Sequence, residues 1–196
     1  MAGHRSDREE AARPGAGMRE ALVFTLLRHG EDLPWRMVDI GLMGLRLDER
    51  REHRLHVWDG SGSMGDPPVH DHPYDFTSVV IVGELANTRY VESPGGDEYI
   101  RYRYLPAGED QRRSDTVMLT ARVETLRQAD EYAQVAGELH SSRQQPGTVT
   151  LLRCAWAEPR ELTVCVHHEA SWRSGQARAA TRAEIKAFTA KALEWF

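Results

Sequence analysis

The chain has 196 residues, 40% of them hydrophobic and 28% charged, with a formal net charge of −5. That is the composition of a soluble globular protein with room for one real core, and it is short for two. It gives no electrostatic ground for nucleic acid or an anionic membrane as partner, and no apolar run approaches the ~20 residues of a membrane span.

Residues 1–17 are polar, charged and rich in Gly, Pro and Ala, which predicts a disordered tail. The stretch lacks the apolar run of a secretory signal, so the expected location is cytoplasmic. Residues 18–50 read as a helical segment. Leu22, Val23, Leu26 and Leu27 recur at helical spacing, and Gly30 stops that helix. A second short helix is expected from Asp32, with Trp35, Val38 and Leu42 on one face.

From residue 51 to 170 the texture is that of strands. Arg54, His56 and Trp58 alternate with Leu55 and Val57. A Gly-, Ser- and Pro-rich loop over 60–68 precedes His70-Asp71-His72-Pro73-Tyr74-Asp75-Phe76, and Val79–Val82 follows. Residues 85–92 and 99–104 read as two strands joined by a hairpin at Ser93-Pro94-Gly95-Gly96-Asp97. Further strands are expected over 117–126 and 132–139. A last hairpin, 148–156 with 162–166, would set Cys154 opposite Cys165. In a reducing compartment that pair reads as two small buried side chains. Residues 171–196 read as a linker and a closing helix, opened by the capping box Thr181-Arg182-Ala183-Glu184. Many strands between two helical ends argue for a mainly β sandwich or small barrel.

The chemistry concentrates on histidine. On a strand, His70 and His72 point the same way, about 6–7 Å apart at a rise of ~3.3 Å per residue. Two imidazoles so placed can converge on one metal ion. His140 is the third candidate ligand. Tyr74 shares the parity of His70 and His72, which marks it as a proton donor or a packing residue. Tyr99, Arg101 and Arg103 share one strand face; if that face lines the interior, an arginine can clamp a substrate carboxylate, and otherwise it is solvated. His56 reads as a structural or supporting histidine, and His167-His168 as an exposed pair.

These residues resemble the cupin superfamily. Its first motif, a glycine followed by H-x-H, an acidic residue and a further glycine, is similar to Gly65, His70, His72 and Gly83. Its second, G-x-x-H, is similar to Gly137-Glu138-Leu139-His140. The resemblance covers roughly residues 53–166 and implies a cupin-like double-stranded β-helix, a jelly-roll barrel, with helices at both ends. The chain departs from the pattern twice: the glutamate near Phe76 is missing, and Val135 stands where a proline is usual. The first departure leaves either a three-histidine site or one in which Asp75 supplies the carboxylate. The resemblance implies a divalent transition metal, Fe(II) foremost, with Zn, Mn, Ni and Cu as alternatives.

The expected function is a metal-dependent enzyme on a small-molecule substrate, foremost an iron-dependent oxygenase with three histidine ligands. A redox-neutral isomerase, lyase or decarboxylase and a non-catalytic binding cupin are the alternatives. A homodimer is compatible with exposed strand edges, but no residue pattern in the sequence singles it out.

Overall fold

The computed structural model describes residues 16–38, 41–60, 68–104, 112–155, 161–167 and 177–196. Residues 1–15 of the expected 1–17 tail, residues 61–67 of the glycine-rich loop, Gly65 among them, and His168 lie outside these residues, whereas Ala16 and Gly17 open the first helix instead of belonging to a tail. The chain is mainly β. Among the described residues two helices, α1 (Ala16–His29) and α2 (Arg182–Leu193), flank twelve strands: β1 (Arg36–Val38), β2 (Leu42–Arg46), β3 (His53–Trp58), β4 (Val69–His70), β5 (Asp75–Val82), β6 (Glu84–Tyr104), β7 (Arg112–Arg127), β8 (Glu131–Gln134), β9 (Leu139–Gln144), β10 (Val149–Ala155), β11 (Leu162–His167) and β12 (Arg178–Ala179). They form two antiparallel sheets. The larger runs β12-β1-β2-β3-β10-β5-β8, and the smaller β11-β4-β9-β6-β7. β11 also pairs with β6, so β4, β9, β6 and β11 close a circuit of ladders.

The helices behave as their sequences predict. Thr181 caps α2 reciprocally with Glu184, satisfying two otherwise orphaned amide donors. Val23 and Leu27 of α1 and Ile185, Phe188 and Ala192 of α2 bury against Met43, Leu55, Val57 and Ile81 on the outer face of the larger sheet. Each such side chain contributes about 1.5–3 kcal/mol on burial. This cluster anchors the sheet whose other face carries Arg54 and His56.

Five local expectations are corrected. The second helix is absent: β1 and β2 pair antiparallel, and Met37, Met43 and Leu45 bury into the core on strands. Sheet packing outweighs the helical spacing of Trp35, Val38 and Leu42.

The histidine segment is not one strand. β4 ends at His70, and β5 begins only at Asp75. Between them Asp71 turns away from the histidines. Its amide donates to the Thr163 carbonyl at 3.1 Å, and its Oδ1 accepts from the Thr163 amide at 2.8 Å.

The expected hairpin at residues 93–97 is a bulge. β7 continues unbroken past it, and Leu119 faces both Glu92 and Asp97. Gly96 permits this, because a Cβ there would lie 2.3 Å from the Leu119 backbone. The strands that pair antiparallel are instead β6, ending at Tyr104, and β7, beginning at Arg112.

The strand expected over 132–139 divides into β8 and β9, which belong to different sheets. The last hairpin divides likewise. β10 pairs with β3 and β5, whereas β11 pairs with β4 and β6. Cys154 therefore faces Phe76, and Cys165 faces Val69 and Arg101. Both thiols are free and buried.

Candidate metal centre

Three histidines meet where the smaller sheet faces the larger. His70 ends β4, His72 sits in the turn that follows, and His140 is the second residue of β9. His70 and His140 are direct ladder partners. Gly137, at φ 88°, makes the left-handed turn that brings the chain from β8 into β9. One ring nitrogen from each histidine lies within 4.8 Å of the other two. The ring centroids of His70 stand 4.9 Å from His72 and 4.8 Å from His140.

The outward-facing nitrogens fix which lone pairs are available. His70 Nδ1 lies 3.0 Å from the Pro68 carbonyl, an acceptor, so Nδ1 carries the proton and Nε2 the lone pair. His140 Nδ1 lies 3.0 Å from Asn87 Oδ1, with the same result. Ser142 Oγ donates to the same Oδ1 at 3.4 Å, which agrees with that orientation of the amide. Asn87 is fully buried, and its Nδ2 has no hydrogen-bond partner among the described residues. Such a cost is tolerated where the other end of the side chain has a use.

The Nε2 atoms of His72 and His140 are 2.9 Å apart. With metal–nitrogen bonds of about 2.1 Å, two ligands at right angles sit about 2.9 Å apart and two at a tetrahedral angle about 3.4 Å. For this pair the spacing matches two adjacent ligands of an octahedral ion, and it is equally the length of a hydrogen bond between the two rings; the three nitrogens together spread over as much as 4.8 Å, so the cluster would have to contract around an ion.

Burial drives the electrostatics. It holds the His70 imidazole below its usual range against the opposing pull of the Pro68 carbonyl and Asp71. Burial, followed by the neighbouring histidines, pushes His72 well below that range. Burial, then His70 and Arg89, takes His140 down to about 2. All three rings are therefore neutral at physiological pH, the form that ligates metal.

Aromatic rings wall the cluster. Phe76 meets His72 edge-on at 5.1 Å and stands 5.9 Å from Tyr132. The Tyr74 ring lies 5.4 Å from that of His72. Its hydroxyl accepts from Arg54 Nη1 at 2.7 Å, and the Arg54 guanidinium lies 5.0 Å over the ring. Burial raises the Tyr74 phenol above its ordinary value despite Arg54, so it keeps its proton at neutral pH.

The other expected site residues fall elsewhere. Asp75 is exposed and outside the cluster; its Oδ1 accepts from the Ala136 amide at 2.7 Å, a tie between β5 and the turn after β8. The inward position at the start of β5 belongs to Phe76, which packs against His72 and His140 and keeps the parity of His70, His72 and Tyr74 across the turn, so Asp75 faces the other way. Arg101 and Arg103 lie on the wrong face. Across the ladders His70 aligns with Val164 and Tyr102, whereas Arg101 aligns with Cys165 and Val69. Arg101 is ion-paired with Glu92 at 2.7 Å and Asp115 at 3.3 Å, and Arg103 lies 3.8 Å from Glu161. His56 is not one of the three converging histidines; burial and then Arg54 push its ring down to about 3. His167 is exposed and stacks on Tyr99 at 4.4 Å.

Two contributors escape sequence reasoning. Arg54 had a visible signal, since it alternates with His56 and Trp58. Asn87 had none: it is one polar residue within a long strand, and only the fold sets it against His140.

No family model matches the chain, and no curated protein matches it. Among solved structures it is similar to Drosophila melanogaster CENP-C, solved bound to CAL1. The match has 13% identity and a TM-score of 0.39, and covers 71% of this chain and 96% of that one. A likeness this distant decides neither fold nor function.

Proposed function

We propose that the chain is a cupin-type metalloenzyme in which His70, His72 and His140 hold one divalent first-row ion, Fe(II) foremost, and that it oxidises a small organic molecule with oxygen. The observation that carries this reading is the convergence of three neutral imidazole nitrogens within 4.8 Å, with the far nitrogens of two of them already engaged. Two antiparallel sheets with helices packed outside agree with a double-stranded β-helix, as does the place of Gly137 at the entrance to a ligand-bearing strand. When bound, the ion would supply a Lewis-acid centre with open positions for oxygen, water or a chelating substrate.

The chain's own residues do the rest. No carboxylate joins the cluster among the described residues, so a bound dication keeps its full charge and favours an anionic substrate group. Phe76 sets an apolar ring against His72 and His140, with Tyr132 packed behind it. Tyr74 holds a proton at its hydroxyl beside His72, and Arg54 steers that hydroxyl and stabilises negative charge that develops on it.

The test is elemental analysis of protein purified without chelator, beside His70→Ala and His140→Ala. The expected result is near-stoichiometric transition metal in the parent and its loss in both variants. Metal retained by both variants, or a parent without metal that still binds ligands after His72→Ala, refutes the site. Turnover without oxygen refutes the oxygenase assignment alone.

A further inference from the structure

β7 is the last strand of the smaller sheet. β6 lies along one edge of it, and among the described residues no strand pairs with the other edge. It is 16 residues long, far beyond the usual five or six. Every residue from Thr120 to Thr125 is exposed, so this stretch is open on both faces as well as along its edge. Val123, in its middle, is 63% exposed. Proteins blunt such edges with proline, lysine or a bulge. The run Thr-Ala-Arg-Val-Glu-Thr contains neither proline nor lysine, and the irregularities in the ladder lie elsewhere, at Glu92/Asp97 and Arg101/Tyr102.

The order of charges identifies what fits there. Pair β7 antiparallel with a second copy about a twofold axis through Val123. Val123 then faces itself, Arg122 faces Glu124 of the partner subunit, and Glu124 faces Arg122 of the partner subunit. The pattern complements itself. Centring the axis on Arg122 or on Glu124 instead opposes like charges, which destabilises the pairing. A register that opposes Asp115 and Arg122 draws on an aspartate already ion-paired to Arg101 at 3.3 Å, and it centres beside Leu119, whose side chain is buried.

We propose that the chain forms a twofold homodimer by edge-to-edge pairing of β7 in the register centred on Val123, joining two five-stranded sheets into one. The pairing is isologous, as closed dimers require, and it is independent of the metal reading.

Sedimentation velocity of the full chain across a dilution series tests it, with circular dichroism to verify folding of each variant. The parent sediments as a dimer. Arg122→Glu and Glu124→Arg each weaken association roughly tenfold or more, because each opposes like charges twice. The double reversal restores the dimer, and an equimolar mixture of the two single variants forms heterodimers. Val123→Cys cross-links to itself on mild oxidation, because opposed residues in an antiparallel pair stand about 4.5–5.5 Å apart, within disulfide reach. The native thiols are buried and give no such product in the parent. A monomeric parent, a dimer indifferent to both single reversals, or a Val123→Cys variant that does not cross-link overturns the proposal.

Discussion

Asn87→Ala separates a metal centre from a merely buried polar cluster. Asn87 Oδ1 takes the His140 Nδ1 proton at 3.0 Å, which holds the Nε2 lone pair toward His70 and His72. Losing such a support typically lowers metal affinity 10–100-fold, or about 1.4–2.7 kcal/mol. The metal-free protein should change less. The truncation leaves the His140 Nδ1 proton without an acceptor, a cost of about 1–3 kcal/mol, but it also removes the unpartnered Asn87 Nδ2, whose burial carries a cost of the same order. The two offset. Competition against a chromogenic chelator should therefore show the weakened affinity, while urea unfolding of chelator-treated protein shifts little. At saturating metal, the metal-induced rise in Tm should shrink by several degrees, since 1 kcal/mol corresponds to about 2–4 °C at this chain length. Asn87→Asp, which keeps the acceptor, should recover most of the affinity. Unchanged affinity in Asn87→Ala together with a large loss of metal-free stability would refute the reasoning and leave Asn87 a structural residue.

Two further outcomes test the fold around the site. Gly96→Ala should destabilise the protein by about 1–3 kcal/mol through overpacking against Leu119. Gly95→Ala, where a Cβ meets nothing within 4 Å, should stay within about 0.5 kcal/mol; equal urea midpoints for the two would remove the close approach as the reason for the bulge. The His56 ring has its folded pKa pushed down to about 3, below its ordinary 6.5. The unfolded chain therefore binds the extra proton first, and stability falls as pH drops below 6.5. The urea midpoint of metal-free protein should decline from pH 7 to pH 5, since His70, His72 and His140 are shifted the same way, and His56→Gln should lessen that decline by the His56 share; a slope unaltered by the substitution would assign the whole loss to the other histidines.

The sequence disclosed the site better than the paths of the strands. The convergence of His70, His72 and His140 is legible because paired and spaced histidines of this kind are a recognisable pattern and because Gly137 marks the turn before β9. Strand alternation is not what brings them together: His72 leaves the strand, and Asp71 locks the segment onto β11 through Thr163. Long-range pairing explains most other misses. Ser93–Asp97 has the composition of a hairpin turn, yet β7 pairs on both sides of it. Trp35, Val38 and Leu42 suit a helix, yet β2 needs the neighbouring β3 to exist as a strand, and composition cannot report that contact. Pleat parity did identify Arg101 and Arg103 as facing together, but not toward which side. The capping box of α2 was fully legible because it is local.

The ladder pairing of His70 with His140 has a kinetic consequence. His70 and His72 lie two residues apart and can engage a cation on an unfolded chain, but only weakly. His140 joins them after β4 and β9 have met, and that contact spans a large part of the chain and belongs to an antiparallel topology of the slow-folding kind. On the proposed reading, tight retention of an ion would therefore wait for the smaller sheet to close. The identity of such an ion would then be selected by a finished cage, and one caught early by the local pair could still exchange before the third imidazole arrives.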